Sequence, residues 1–150
     1  MSKLQHLFFT PNGAFEPLAV FFPQRILFLT DRYSTLILSY MLMIIRSKIN
    51  SEPLKQVAED LKGYVKVVVD IQRKILSAGG EKHVDGEQLL LKDGSRQDDL
   101  WGAGLDLETN EMDFDSMINL RPAQNTSREI LDQKIRQQVE LITRLLLQGK

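Results

Sequence analysis

From about Met43 onward, apolar and polar positions follow regular patterns that predict helices and strands. Met43–Ile49 is rich in β-branched residues and predicts a first strand. Ser51 is suited to cap a following helix. That helix has an apolar face made of Leu54, Val57, Ala58 and Leu61. Tyr64–Ile71 is nearly all apolar, as in a central strand covered on both faces, and its β-forming pattern extends to Leu76.

The rest of the pattern predicts a hairpin and a long last helix. Leu100–Leu107 and Met112–Arg121 predict two paired strands. Within Glu81–Ser95, which precedes the hairpin, Glu87–Leu91 fits either a short helix that ends at Gly94 or the start of a strand followed by a turn at Asp93–Gly94. Thr126 and Glu129 have the spacing of a capping box and predict the beginning of the last helix. The apolar side of that helix consists of Leu131, Ile135, Val139, Ile142 and Leu146.

The predicted element order is β-α-β-(short element)-β-β-α. This order favours an α+β fold with a small mixed or antiparallel sheet and with the helices packed on one side. A chain of 150 residues has room for one such domain. We therefore expect residues 43–150 to form a single α+β domain.

Residues 1–42 differ sharply in composition from the rest of the chain. They hold six of the seven phenylalanines but only five charged side chains. We interpret residues 1–42 as an apolar, Phe-rich extension outside the core. Three explanations are open: an over-long start assignment, a membrane-surface or partner-binding extension, or an extra layer of the fold. The longest uncharged run, Tyr33–Ile45, has thirteen residues, fewer than the ~20 that a membrane-spanning helix needs, so no transmembrane span is expected.

Charge and cysteine content exclude several classes of function. The formal net charge is −1, so we expect no nucleic-acid binding. The absence of cysteine excludes disulfides, Cys-ligated zinc and a thiol nucleophile, and it fits a soluble protein of the cytoplasm. The chain also lacks a GxSxG motif, a phosphate-binding glycine loop and an HExxH motif. The main hydrolase and nucleotide-dependent classes are therefore disfavoured.

Glu81, His83 and Asp85 form a candidate metal site. If this segment is extended, the three side chains point to one face, because the side-chain period of a strand is two. One imidazole and two carboxylates suit a divalent ion such as zinc, manganese or iron. The alternative is a solvated polar loop after a glycine pair. His83 is also the only histidine of the predicted domain, so any acid–base catalysis by an imidazole there must use it.

A second candidate site lies at the end of the predicted hairpin and is suited to an anion. Arg121 can bind a carboxylate or phosphate with two hydrogen bonds, and Asn119 and Asn125 supply side-chain amides nearby. Trp101 is a candidate wall of the same pocket. The alternatives are structural: Arg121 pairs with a carboxylate across the hairpin, Asp106 being one choice, and the indole belongs to the core.

Asp70 is a candidate catalytic acid or base. It follows a run of valines at the end of the central strand, so we expect burial, and perturbed buried acids often mark active sites. The alternative is that its carboxylate accepts hydrogen bonds from a nearby backbone amide or from Arg73.

Five short motifs resemble a known family: Val68–Ile71, Gly79–Asp85, Leu91–Ser95, Trp101–Ala103 and Ile118–Pro122. The family is an uncharacterised bacterial domain of unknown function, frequent in cyanobacteria, and the resemblance covers roughly residues 43–147. Leu120 stands where that family usually has isoleucine, and Lys82 where it usually has an apolar residue. The resemblance supports the domain limits and implies no mechanism.

These observations favour a small binding or regulatory module for an anionic ligand or a protein partner. The first alternative is a metal-dependent hydrolase that uses Glu81, His83 and Asp85, with Asp70 as a possible base. The second is one component of a toxin–antitoxin pair, although ribosome-dependent RNase toxins are usually basic and this chain is not.

Overall fold

The computed structural model describes residues 40–150 of the protein. Five strands form one sheet in the order β1-β3-β2-β4-β5, with every neighbouring pair antiparallel. The strands are β1 (Leu42–Ile45), β2 (Tyr64–Asp70), β3 (Ile75–Gly79), β4 (Leu100–Asp106) and β5 (Met112–Asp113). The helices are α1 (Ser51–Glu59), α2 (His83–Lys92) and α3 (Gln133–Leu147), with short 3-10 turns at Gln97–Asp99 and Met117–Asn119.

The sheet separates two apolar layers, and the predicted α+β class is confirmed. On one face, α1 and α3 pack against alternate residues of β2 and β4, namely Val65, Val67, Val69, Trp101, Ala103 and Leu105. On the other face, Leu90 of α2 packs with Val68, Ile75 and Leu100. The predicted placement of helices on one side therefore describes α1 and α3 but not α2, because β2 is apolar on both faces.

The central β-forming segment is a hairpin of two strands, β2 and β3, and does not continue through Leu76 as one strand. Asp70 Oδ1 accepts hydrogen bonds from the backbone amides of Gln72 (3.0 Å) and Arg73 (2.8 Å). Lys74 takes up the left-handed conformation that closes the turn, with φ of 56°. The chain therefore reverses without a glycine or proline, which is why its pattern resembles one continuous strand.

Glu81–Ser95 is mostly helical, so the helix alternative is correct and the strand alternative is wrong. Gly79 and Gly80 turn the chain out of β3 with positive φ. α2 then begins at His83, with Asp85 Oδ2 accepting a hydrogen bond from the Lys82 amide at 3.0 Å. This contact is half of a capping box and fixes the start of the helix above the sheet.

The predicted strand Met112–Arg121 pairs with β4 only over its first two residues. Beyond Asp113, side chains take the place of backbone pairing. The Asn119 amide accepts from the Gly102 N–H (2.8 Å) and donates to the Gly102 carbonyl (2.9 Å). The Arg121 guanidinium donates to the Leu100 carbonyl, one hydrogen-bonding position further along β4. The alternating pattern thus marks a segment that follows β4 without being a full strand.

The last helix begins later than its capping-box pattern predicts. Asp132 caps α3, accepting from the amides of Lys134 (2.7 Å) and Ile135 (3.3 Å). The residues from Thr126 to Leu131 form an irregular connection held by Asn125. Its amide nitrogen donates to the carbonyls of Ser127 (2.7 Å) and Glu129 (2.8 Å). These bonds hold the backbone in a series of bends where the sequence pattern predicts a helix.

The predicted extension lies outside the described residues except for its last three. Met41 is buried in the core below α1, and Leu42 begins β1. Within residues 40–150, none of the helices has the length and apolar character that a membrane crossing requires.

Candidate functional site

A cleft of ≈ 710 Å³ opens between the beginning of α2 and the segment that follows β5. One wall comes from β2 and α2 and the other from residues 113–118 and 128–129. The residues that line it are Tyr64, Lys66, Lys82, His83, Val84, Asp113, Asp115, Ser116, Met117, Ile118, Arg128 and Glu129. The volume lies within the range of about 300–1,000 Å³ that is typical of small-molecule sites.

Two glycines of β4 bring the walls of the cleft together. A Cβ atom at Gly104 would lie 1.7 Å from the hydroxyl oxygen of Tyr64, so the phenol ring rests directly on the glycine backbone. A Cβ atom at Gly102 would lie 2.6 Å from Ser116 and 3.0 Å from Ile118. Glycine in a strand marks such close approaches, and here it allows Tyr64 and the opposite wall to lie against the sheet.

His83 lies over the sheet with one ring nitrogen engaged. Its Nε2 is 2.8 Å from the carbonyl oxygen of Ala103. Because a carbonyl only accepts, this geometry places the proton of the neutral ring on Nε2 and leaves Nδ1 as an acceptor. Burial lowers the pKa of His83 below its ordinary value of 6.5, although the Ala103 hydrogen bond acts in the opposite direction. The imidazole is therefore neutral at pH 7.

Tyr64 and Asp113 form a short hydrogen bond on the floor of the cleft. The phenol donates to Asp113 Oδ2 at 2.5 Å. Burial, followed by this bond to Asp113, raises the pKa of the Tyr64 hydroxyl far above its ordinary value of 10.0. The phenol therefore stays protonated and acts as a donor at physiological pH.

The structure does not bring the three predicted metal ligands together. Glu81 precedes α2 and is exposed, Asp85 caps α2, and only His83 lines the cleft. Within residues 40–150, no group of three or more histidine, aspartate and glutamate side chains is placed to hold a metal ion. The reason is that α2 begins at His83: residues two apart, such as His83 and Asp85, point to different sides of a helix, and Glu81 lies outside it.

The predicted anion site consists of side chains that have partners within the protein. Trp101 is 1% exposed and belongs to the core. The Arg121 guanidinium stacks on its ring at 4.7 Å and donates to the carbonyls of Leu100 and Ile118. Arg121 has no ion pair with Asp106, whose Oδ1 instead accepts from backbone amides of the turn after β4. The alternative in which Arg121 pairs with Asp106 is therefore wrong.

The two asparagines of that prediction are buried and serve the backbone. Besides Gly102, Asn119 Nδ2 donates to the carbonyls of Phe114 and Arg128, each at 3.0 Å. Asn125 Oδ1 accepts from the Leu131 amide at 3.1 Å. These contacts use the hydrogen-bonding groups of both side-chain amides. That Asn119 and Asn125 contact a ligand stays a prediction.

Asp70 lies at the opposite end of β2 from Tyr64, roughly 20 Å away at the spacing of strand residues. It is fully buried, and its Oδ1 caps the β2–β3 turn. Its Oδ2 has no hydrogen-bond partner within the described chain. Asp70 does not line the cleft, so the structure separates it from His83.

Sequence reasoning missed Tyr64, Lys66, Asp113 and Met117 as cleft residues. One signal was available: two glycines, at 102 and 104, interrupt a strand that is otherwise apolar, and glycine inside a strand indicates close contact with another group. The partner that approaches them depends on the path of the chain after β5, which local pattern does not specify.

Comparison with known proteins gives one match. The family described as "Protein of unknown function (DUF5674)" matches residues 43–146. No curated protein and no solved structure matches the chain. The matched range includes all the residues that line the cleft. The chain thus belongs to the family of proteins of unknown function DUF5674.

Proposed function

We propose that this domain is a binding module that holds a small organic ligand in the His83 cleft. One observation carries the proposal: a half-buried, neutral imidazole with a fixed tautomer lines a cleft of ≈ 710 Å³ together with Tyr64 and Lys66. A cavity of this size with a few convergent polar groups is the usual form of a ligand site. A buried imidazole that is held from one side offers its other nitrogen to a ligand.

The cleft leaves more polar groups for a ligand than the strand-end site predicted around Arg121. His83 and Lys66 each bond one backbone carbonyl and keep Nδ1 and two N–H groups for a ligand, whereas Arg121, Asn119 and Asn125 each bond several backbone or side-chain groups. A ligand at the strand end would have to displace those contacts, and it would leave buried backbone groups without partners.

Nuclear magnetic resonance tests the proposal because each site carries a distinct probe. The chain has two histidines and one tryptophan, and a His83→Gln variant assigns the ring signals of His83. We expect that, in titrations of the full chain with a library of small acids, amines and aromatics, binders shift the His83 ring signals. Binders that shift the Trp101 indole signal and leave the His83 ring signals unchanged would overturn the proposed cleft site in favour of the Arg121 site.

The fixed tautomer also favours a second function, general-base catalysis by His83. The neutral Nδ1 of His83 is a suitable base for a proton-transfer reaction. In that case a ligand found by the titration is converted over time, and His83→Gln binds it without conversion. A ligand whose spectrum is unchanged after prolonged incubation with the parent protein would leave binding as the only function of the cleft.

A further inference from the structure

Resting on the proposed function, we infer that the ligand of the cleft is an amphipathic organic anion. Its acidic group meets the ammonium groups of Lys66 and Lys82. Its apolar body lies between Val84 on one wall and Met117 on the other.

The acidic side chains of the cleft already have donors within the protein. Asp113 accepts from Tyr64, as described above. Asp115 forms an ion pair with Arg128: Nη2 donates to Oδ2 at 3.1 Å, and Nε lies 2.8 Å from Oδ1, which makes no hydrogen bond within the described chain. Glu129 forms an ion pair with Arg136 at 2.9 Å. A cationic ligand would have to compete with these contacts for each carboxylate.

The two lysines of the cleft, in contrast, have no carboxylate partner within residues 40–150. Lys66 donates to the carbonyl of Glu81, which uses one of its three N–H groups. The Lys82 ammonium forms no ion pair with any described residue, and Lys82 directly precedes α2, whose dipole favours an anion at that end. The donors left over in the cleft are therefore cationic, and they match an acidic ligand group.

Both walls also expose apolar side chains to the opening. Val84 is 42% exposed and Met117 is 64% exposed, and the partly buried Ile118 lies beside Met117. When a ligand covers large apolar side chains at the mouth of a cavity, their removal from water favours binding. An inorganic anion would leave them in water, whereas an anion with a hydrocarbon or aromatic body would cover them.

Two fluorescent probes with the same ring system test this inference. Anilinonaphthalene sulfonate is anionic, and N-phenylnaphthylamine is uncharged. In the full-length protein, we expect Lys66→Met and Lys82→Met each to weaken binding of the sulfonate about three- to fivefold, the size of an exposed ionic contact, and to leave the uncharged probe unaffected. Met117→Ser weakens both probes roughly tenfold because each loses apolar contact.

Matched controls exclude a general loss of charge or apolar surface. Lys92→Met removes a lysine from the far end of α2, and Leu141→Ser removes a leucine of α3 that is 64% exposed, the same fraction as Met117. Neither control should change the affinity for either probe. If both probes depend on Met117 but neither depends on the lysines, the anionic class is wrong and the cleft is still a binding site. If no variant of the cleft differs from its control, both proposals are wrong.

Discussion

The ring of Tyr64 lies directly on the backbone of Gly104, the neighbour of Lys66 in the adjacent strand, and a Cβ atom at position 104 would approach the Tyr64 hydroxyl to 1.7 Å. This contact places the phenol within reach of Asp113 and forms the floor of the cleft. The shape of the cleft therefore depends on the absence of one methyl group.

Gly104→Ala is expected to displace Tyr64 and to lower the free energy of unfolding by about 1–3 kcal/mol, the usual cost of overpacking. Urea denaturation measures this loss. The double variant Gly104→Ala, Tyr64→Ala lacks the ring that would clash. Its free energy of unfolding should therefore fall by less than the sum of the decreases in the two single variants. Strictly additive losses would show that the ring and the glycine do not interact.

The hydrogen bond between Tyr64 and Asp113 should appear as a coupling energy in a double-mutant cycle. With Tyr64→Phe and Asp113→Asn we expect a coupling of about 0.5–1 kcal/mol, since Asp113 is exposed and solvent screens the bond. Because the pKa of Tyr64 is raised, alkaline absorbance titrations of the parent and of Tyr64→Phe should differ only well above the ordinary phenol value of 10.0. A difference with its midpoint near 10.0 would contradict this hydrogen bond.

His83 should make stability depend on pH, in the direction that its lowered pKa dictates. Above pH 6.5 the ring is neutral in both states, and its contribution to stability is complete. Below that pH the unfolded chain binds the proton more readily than the native protein, so the free energy of unfolding falls until the lower native pKa is passed. Lys66, Asp113 and Asp115 are the charged groups that act on the ring.

The matched variant for this prediction is His83→Gln, which keeps a side-chain donor for the Ala103 carbonyl and does not titrate. Thermal unfolding of both proteins between pH 8 and pH 5 should give a steeper decline for the parent. Parallel curves, or a proton titration of His83 with a midpoint above 6.5, would contradict the neutral imidazole.

Asn119→Asp is expected to destabilise the protein by about 2–4 kcal/mol. The change replaces a donor by an acceptor that faces the carbonyls of Gly102, Phe114 and Arg128 in a fully buried position. Asn50→Asp is the control, because Asn50 precedes α1, is exposed and makes no capping bond with its side chain. Equal stabilities of the two variants would disprove this role of Asn119.

Local pattern predicted the elements whose burial is periodic. The apolar faces of α1 and α3 follow from spacing because each helix packs on one apolar layer, although Leu131, predicted on the last of these faces, precedes α3 and is 55% exposed. The nearly unbroken apolar run of β2 predicts its burial on both faces. The β2–β3 turn was missed since it contains no glycine or proline, and its one turn-forming residue, Asp70, directly follows the apolar run of β2.

Tertiary contacts decided the rest. Asn119 and Arg121 alternate as strand residues do, yet their side chains, and not their backbones, pair with β4. The cleft was only partly predictable for the same reason: His83 stood out by residue type, while Tyr64 and Asp113 acquire their roles from their meeting at Gly104 of β4.

Beyond β5, the side chains of Asn119 and Arg121 bond β4 in place of a neighbouring strand, and this affects association between molecules. On the outer side of β4, hydrogen-bonding positions are occupied at every second residue, at Leu100 by Arg121, at Gly102 by Asn119, at Gly104 by β5 and at Asp106 by Glu111. A foreign strand therefore finds no free row of donors and acceptors along β4. Two side chains protect this border against the edge-to-edge aggregation that open sheets invite.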